Sequence, residues 1–172
     1  VRQSELEQLW LQLEALHLAT PNIGTLNDII CCPGGDFCSL ANAKSIPIAE
    51  AIQRRFDDIE QLYALGRIDL NISGCMNACG HHHVGHIGIL GVDKKGAEYY
   101  QISLGGSAGE GEEAALGDVM GPSFSQQQIP DVIEKIVKVY VEQRTTGEKF
   151  IDTYRRVGLE PFKEQVYGPA SH

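Results

Sequence analysis

The segment "SGCMNACGHHHVGHIGILG", Ser73 to Gly91, concentrates two cysteines, four histidines and five glycines in nineteen residues. It continues from "RIDLNIS", in which apolar and polar residues alternate as they do in a half-buried β-strand. The strand would deliver Gly74 and Cys75 to a turn at its carboxyl end. A turn of this composition is more typical of a chemical site than of a simple connection.

The segments on either side predict a sheet layered with helices. "HIGILGV" and "EYYQISLGG" flank "DKKGA" and indicate a β-hairpin, and "GTLNDIICC" suits a short strand. "ANAKSIPIAEAIQRRFDDIEQLYALG" is mostly helical in pattern, and "IPDVIEKIVKVYVEQRTTGEKFIDTYRRVG" predicts two helices. Because strands and helices are intermixed in one chain, we expect an α/β (α+β) fold with a mixed sheet.

We expect the chain to divide into three parts. Residues 1–21 predict an amphipathic helix with a capping box at Ser4 and Glu7, whose apolar face, including Trp10, packs in the core. Residues 22–158 form the main domain, and residues 159–172 are a tail with little pattern that ends at His172. Since a helix pattern begins almost at once, we expect this to be a piece of a longer protein.

Composition argues against several classes of partner. The formal net charge is −9, from 14 Lys and Arg against 23 Asp and Glu, and no basic cluster is longer than a pair. Nucleic-acid binding depends on neutralising phosphates, so it is not expected, and neither is binding to an anionic membrane surface. No apolar run approaches the roughly 20 residues of a membrane span, and the beginning lacks the apolar region of an export signal. These features predict a cytoplasmic protein.

The five cysteines are the strongest chemical signal. Cys32 and Cys38 form a C-x5-C pair after one predicted strand, and Cys75 and Cys79 form a C-x3-C pair after another. Each pair lies on a turn with glycine, where backbone can approach closely. Without an export signal, such thiols are more typical of metal ligands than of disulfides. Cys31 would point to the opposite face of its strand from Cys32, which indicates a packed thiol.

Four thiolates from two strand ends would bind zinc, copper(I) or an iron-sulfur cluster. Structural zinc usually takes closer pairs, from C-x2-C to C-x4-C, so the wider C-x5-C loop favours a cluster. A non-catalytic metal-binding module, with structural zinc or an electron-transfer cluster, stays open as the alternative.

Four segments carry a resemblance to a known family. In order, "CCPGGDFCSLANA", "SGCMNACGHHHVGHIGILG", "YYQISLGG" and "RTTGEKFIDTYRRVG" resemble the C-terminal half of the sirohaem-containing sulfite and nitrite reductases, from near Asn22 to Gly158. The resemblance implies a four-iron four-sulfur cluster and sirohaem as cofactors. It implies reduction of sulfite to sulfide or of nitrite to ammonia by six electrons, supplied by ferredoxin or a flavoprotein.

The resemblance also implies roles for individual residues. The cluster ligands would be Cys32, Cys38, Cys75 and Cys79, and Cys79 would also bridge to the sirohaem iron as the catalytic residue. Asn77 matches a family position beside the macrocycle. We further expect Gly74 to let a cofactor come close to the backbone.

The charge balance implies that a half is missing. Sirohaem carries carboxylates and its substrates are anions, so the site needs Arg and Lys, yet neither cysteine loop contains one. In the family those cations belong to the N-terminal half. We therefore expect a fragment that can bind the cluster but is inactive alone, with that half as its partner.

The histidines of "HHHVGH" have several interpretations. The simplest is that His81–His83 form a polar turn after the cysteine loop, near the edge of the cofactor. The alternatives are contact of His81 with sirohaem or its carboxylates, and a separate transition-metal site. His86 stands where the family has an acidic residue, so the family's local hydrogen bonds are not carried over to it.

Overall fold

The computed structural model describes residues 1–109, 111 and 113–168, so the interpretation of His172 as a tail residue lies outside it. The described residues form a five-stranded sheet whose strands lie side by side in chain order. Its strands are β1 (Ile30–Cys31), β2 (Leu70–Ser73), β3 (Ile87–Lys94), β4 (Ala97–Leu104) and β5 (Asp118–Val119). β1, β2 and β3 are parallel to one another, whereas β4 is antiparallel to β3 and β5 is antiparallel to β4. The mixed sheet of the predicted α/β fold is confirmed.

Six α-helices accompany the sheet in the described part of the chain. They are α1 (Leu6–Ala15), α2 (Ile46–Arg55), α3 (Ile59–Leu65), α4 (Ile129–Gln143), α5 (Phe150–Val157) and α6 (Glu160–Tyr167). Short 3-10 turns occur at Gln3–Glu5, His82–Val84 and Gln126–Gln128. No described helix has the length and hydropathy needed to traverse a bilayer.

The two faces of the sheet differ in character. The register places Ile72 of β2 beside Ile89 of β3, and Ile89 beside Ile102 of β4, and all three are buried in the core shared with α2 and α4. Because side chains alternate along a strand, Asn71 and Ser73 point to the other face. That face is partly covered by the 3-10 turn His82–Val84, so the segment after the second cysteine pair lies against the sheet.

The hairpin between β3 and β4 agrees with the sequence prediction. Lys94 pairs with Ala97, which leaves Lys95 and Gly96 as a two-residue turn with φ angles of 58° and 82°. Positive φ at both positions is the requirement of a type I′ turn, whose twist matches that of the strands. The Asp93 carboxylate accepts a hydrogen bond from the Gly96 amide at 3.2 Å.

The helical region before β2 is two helices rather than one. The side chain of Asp58 accepts hydrogen bonds from the Glu60 and Gln61 amides, at 2.9 and 3.2 Å. This capping starts α3 as a new helix after the end of α2. Phe56 between the two helices is buried, whereas Ile59 at the start of α3 is partly exposed.

The first helix does not pack in the core as its pattern predicts. α1 has no buried residue, and Trp10 retains 44% of its surface exposed. The predicted capping box of Ser4 and Glu7 does not form, because a 3-10 turn precedes the helix and Arg2 pairs with Glu5 instead. The apolar stripe is present, but its most covered residues, Leu9 and Leu13, are only half-buried.

The predicted tail contains a helix that belongs to the core. α6 occupies residues that have little apolar pattern, yet Phe162 is fully buried and Val166 is nearly so. The Phe162 ring centroid lies 6.1 Å from that of Phe150 and 5.9 Å from that of Tyr154. The Phe162 ring therefore contacts α5, while the helix as a whole packs mainly along α4.

Replacing Phe162 tests its contribution to stability. We expect Phe162→Ala to lower the free energy of unfolding by about 3–5 kcal/mol, because it removes a buried ring and leaves a cavity. Chemical denaturation measures the change. The matched control is Glu164→Ala on the exposed side of the same helix, which should stay within about 0.5 kcal/mol of the parent. Equal effects of the two variants would show that α6 is not part of the core.

The pairing of Glu148 with Arg156 should make part of the folding stability depend on pH. Hydrogen bonds from Arg156, at 2.8 and 2.6 Å, and from the Thr145 amide lower the pKa of Glu148 to about 2. A carboxylate with a lowered folded-state pKa stabilises the fold above its unfolded pKa, and that stabilisation disappears as the pH falls toward the folded value. We expect Glu148→Gln to lower the melting temperature at neutral pH and to differ less from the parent as the pH falls from 5 to 2. A difference that is independent of pH would contradict this.

Candidate cysteine-loop site

The two cysteine pairs lie at one edge of the sheet. Cys32 directly follows β1, and Cys75 comes two residues after the end of β2. β1 and β2 are parallel neighbours in which Cys31 pairs with Ile72, and the Cys32 amide donates to the Ile72 carbonyl at 3.1 Å. Because the carboxyl ends of adjacent parallel strands meet at the same edge, the loops that follow them are neighbours. We call residues 32–38 the first cysteine loop and residues 75–79 the second.

Gly74 ties the two loops together. Its amide donates to the Cys32 sulfur at 3.0 Å. Its carbonyl accepts from the Asn42 and Ala43 amides, at 2.9 and 3.1 Å, in the segment that follows the first loop. One peptide position therefore fixes the start of the second loop against the first.

The side of Gly74 on which a Cβ would lie faces protein. An added Cβ would lie 2.7 Å from the Ala43 carbonyl oxygen and 2.9 Å from the Gly34 Cα, closer than real Cβ contacts. The glycine is therefore needed for the contact of one loop with the other. Contact between Gly74 and a cofactor stays a prediction.

The second cysteine loop and the residues just after it have an unusual backbone conformation. Ala78 and His81 have φ angles of 56° and 52°, a region that costs a non-glycine residue about 1–3 kcal/mol. The bonds that maintain it run from the Ala78 amide to the Cys75 carbonyl, at 3.1 Å, and from the Gly80 amide to the Ser73 hydroxyl, also at 3.1 Å. Such strain is typical of functional loops.

The cysteines differ in accessibility. Cys75 is buried, Cys32 and Cys38 are half-buried, and Cys79 is exposed together with Asn77. Cys79 is therefore the thiol of the set that is most open to a group outside the chain.

Three large apolar side chains are exposed around the same loops. They are Phe37, Leu40 and Met76, of which Met76 is 83% exposed. The sequence prediction did not include them, although exposed apolar residues clustered in one area often mark a surface that a cofactor or partner covers.

The geometry bears on which metal group the thiols suit. In residues 1–109, 111 and 113–168, no three His, Cys, Asp or Glu side chains are grouped so that they could hold a single metal ion. A single zinc requires its sulfur ligands about 2.3 Å from one centre. A cuboidal cluster separates its four ligands more widely, because each thiolate binds a different iron. By donor chemistry, thiols on two neighbouring loops suit a sulfur-ligated metal group, and the choice between zinc and a cluster stays a prediction.

Cys31 packs away from the loops, as the strand alternation predicts. Its side chain lies against the hydrophobic core, and its thiol donates to the Cys32 carbonyl at 3.2 Å. Burial raises the pKa of Cys31 to about 11, so the thiol stays protonated at neutral pH. Metal ligation requires the thiolate, and Cys31 is therefore poorly suited to it.

The histidines occupy two separate places. His81 is exposed next to the second cysteine loop, and its carbonyl accepts from the Asn71 side chain at 3.0 Å. Burial, together with neighbouring His83, lowers the pKa of His82, whose Nδ1 is buried without a hydrogen-bond partner. Contact of His81 with sirohaem stays a prediction.

His86 lies at the other end of the strands from the cysteines. It is buried, and its Nδ1 accepts a hydrogen bond from the Asp69 amide at 3.1 Å. Its ring lies nearly parallel to that of Phe150, with the two ring centroids 6.2 Å apart. Asp69 precedes β2, whereas Cys75 follows it. The residue that departs from the family pattern therefore affects the packing of the sheet on α5 and not the cysteine loops.

Ser45 is a site residue that the sequence analysis missed. Its side chain is fully buried, and its hydroxyl oxygen lies 3.6 Å from the Cys32 sulfur. Thirteen residues separate the two, and a serine before a helical run indicates only a helix cap. No local signal could have placed it beside a cysteine.

Comparisons with known proteins agree with the fold. Sulfite reductase (ferredoxin) 2 of Mycolicibacterium paratuberculosis is 28% identical over 160 residues, covering 87% of this chain and 28% of that protein. A cobalt-factor III methyltransferase of Priestia megaterium is 28% identical over 156 residues, covering 91% of this chain and 26% of that protein. The structure of the Mycobacterium tuberculosis NirA protein superposes with a TM-score of 0.77 at 27% identity, covering 94% of this chain and 31% of that one.

This chain thus spans less than a third of the length of each of these proteins. The family model described as "Nitrite and sulphite reductase 4Fe-4S domain" matches residues 24–172, which include both cysteine loops. The chain belongs to the nitrite and sulphite reductase 4Fe-4S domain family.

Proposed function

We propose that this chain is the cluster- and sirohaem-binding part of a sulfite or nitrite reductase. Cys32, Cys38, Cys75 and Cys79 hold a four-iron four-sulfur cluster, and Cys79 also binds the sirohaem iron. The complete enzyme reduces sulfite to sulfide or nitrite to ammonia with six electrons from ferredoxin or a flavoprotein. The family match and the sulfite reductase relative support this assignment.

One observation carries the proposal: Gly74 joins the two cysteine loops through its amide and its carbonyl. This contact fixes the two loops, which follow the parallel strands β1 and β2, against each other. The hydrogen bond from the Gly74 amide to the Cys32 sulfur is also of the kind that stabilises a metal-bound thiolate.

When bound, the two cofactors supply single-electron transfer and an open iron position for the substrate. The chain's own residues hold and orient these groups. Cys75 would be the buried ligand, and the exposed thiol of Cys79 would be the one accessible to a tetrapyrrole. The Asn77 side chain is exposed between the two and could donate or accept a hydrogen bond at the macrocycle. The exposed Phe37 and Met76 side chains provide apolar surface beside the loops.

Charge neutralisation must come from elsewhere. Neither cysteine loop has a Lys or Arg, and the nearby Lys44 is already paired with Asp36 at 3.0 Å. Sirohaem carboxylates and an anionic substrate require several cations. We therefore assign that task to an N-terminal half of the same enzyme, which makes the isolated chain inactive.

The ligand set is tested by anaerobic reconstitution with iron and sulfide. We expect about four irons per chain in the parent, as in a four-cysteine cluster. Cys32→Ser, Cys38→Ser, Cys75→Ser and Cys79→Ser should each lose most of the iron and sulfide. The matched control is Cys31→Ser, which should keep both because that thiol faces the core.

Metal analysis of the same samples separates the alternatives. Stoichiometric zinc that persists after reconstitution, without iron or sulfide, would establish a zinc module instead. Loss of the cluster in Cys31→Ser alone would show that the ligands are assigned wrongly.

Sirohaem uptake tests the role of the missing half. We expect the cluster-loaded chain to bind little sirohaem alone, because it lacks cations at the site. It should bind stoichiometric sirohaem when co-expressed with the N-terminal half of the Mycolicibacterium paratuberculosis relative, as measured by absorption spectroscopy. Strong uptake by the chain alone would contradict the charge argument. A cluster without uptake in either sample would favour a simple electron-transfer module.

A further inference from the structure

We propose that Ser45 is a positioning residue whose hydroxyl donates to the Cys32 thiolate and raises the reduction potential of the cluster. This inference rests on the proposed function, since it requires that Cys32 ligates the cluster. It adds an assignment that neither the cysteine spacing nor the family match makes.

Ser45 is enclosed where the two cysteine loops meet. Its side chain is fully buried, and its hydroxyl oxygen would lie 2.6 Å from a Cβ added at Gly34 and 3.0 Å from one added at Gly74. The absence of side chains at these two glycines creates the space for the hydroxyl. Within that space, the Cys32 sulfur lies 3.6 Å from the oxygen.

The usual role of a serine at this position is absent. Ser45 is the N-cap of α2, but its side chain makes no capping hydrogen bond. An N-cap hydroxyl normally accepts from the amide of the second or third helical residue. The second is Pro47, which has no amide hydrogen, and the amide of the third, Ile48, donates to the Ser45 carbonyl at 3.1 Å. The hydroxyl is therefore left for Cys32.

The direction of the hydrogen bond follows from ligation. A metal-bound cysteine has lost its proton, so the sulfur can only accept and the hydroxyl must donate. Cys32 then receives two donors, the Gly74 amide and the Ser45 hydroxyl. In the described part of the chain, no comparable bond reaches the sulfur of Cys38, Cys75 or Cys79.

Two donors on one thiolate affect the two oxidation states differently. Reduction adds one electron to the cluster, with no bond made or broken, and increases the negative charge on its sulfurs. A hydrogen bond to sulfur stabilises the reduced state more and so raises the potential. Removal of the hydroxyl should therefore make the cluster harder to reduce.

The test compares the parent with Ser45→Ala and with Ser103→Ala, a matched control at a buried serine of β4. All three chains are reconstituted anaerobically, and iron and sulfide are measured first. Titration with dithionite, followed by electron paramagnetic resonance, then gives the midpoint potential. We expect the midpoint potential of the cluster to be lower in Ser45→Ala by up to about 59 mV. For a one-electron couple this corresponds to electron binding up to about tenfold weaker. Ser103→Ala should match the parent.

A second measurement separates this role from a structural one. Alanine is smaller than serine and no cap bond is lost, so the cluster-free Ser45→Ala chain should melt within about 2–4 °C of the parent, the effect of losing one hydrogen bond to sulfur. An unchanged potential in a fully loaded Ser45→Ala chain would overturn this inference while leaving the ligand assignment intact. Loss of the cluster from Ser45→Ala with its retention in Ser103→Ala would also overturn it. Failure of the parent to load any cluster would instead overturn the proposed function, and this inference with it.

Discussion

The hydrogen bonds of Gly74 are the contact on which the arrangement of the site depends. Its amide reaches the Cys32 sulfur and its carbonyl accepts two amides beyond the first loop. Neither cysteine loop could hold this position alone, because both are short connections without regular structure. The parallel pairing of β1 with β2 brings the loops near each other, and Gly74 sets their separation. A side chain at Gly74 would force the loops apart, since the backbone of Ala43 and Gly34 already fills the space.

Local patterns predicted the centre of the sheet well. β2, β3 and β4 follow from alternation and turn chemistry, which depend on residues close together in sequence. The same information was insufficient for the ends of the chain. The stripe on α1 has the spacing of a core helix, but burial requires an opposing surface that sequence periodicity does not encode. α6 shows the reverse case, because its buried residues are Phe162 and Val166, too few apolar positions to indicate a core helix from sequence.

The candidate site shows a similar division. Residue type and spacing identified two cysteine pairs and placed each after a strand, and the orientation of Cys31 followed from the strand period. Contacts between distant segments could not be read in this way. Ser45 looks like an ordinary cap, and its role depends on the proline two residues later and on two glycines from other segments. His86 lies close to the cysteines in sequence, yet β3 begins at the opposite end of the sheet, which separates them.

The order of the strands has a consequence for how the chain folds. β3 and β4 are joined by a two-residue turn, so they can pair through contacts between near neighbours in the chain. The segment between β1 and β2 contains α2 and α3. Closing such a long loop, so that the two strands can pair, has a larger entropic cost. We therefore expect the hairpin to form early and the edge with the thiols to be completed last. The proposed cluster would therefore enter at the final stage of folding, when the two pairs of thiols come together.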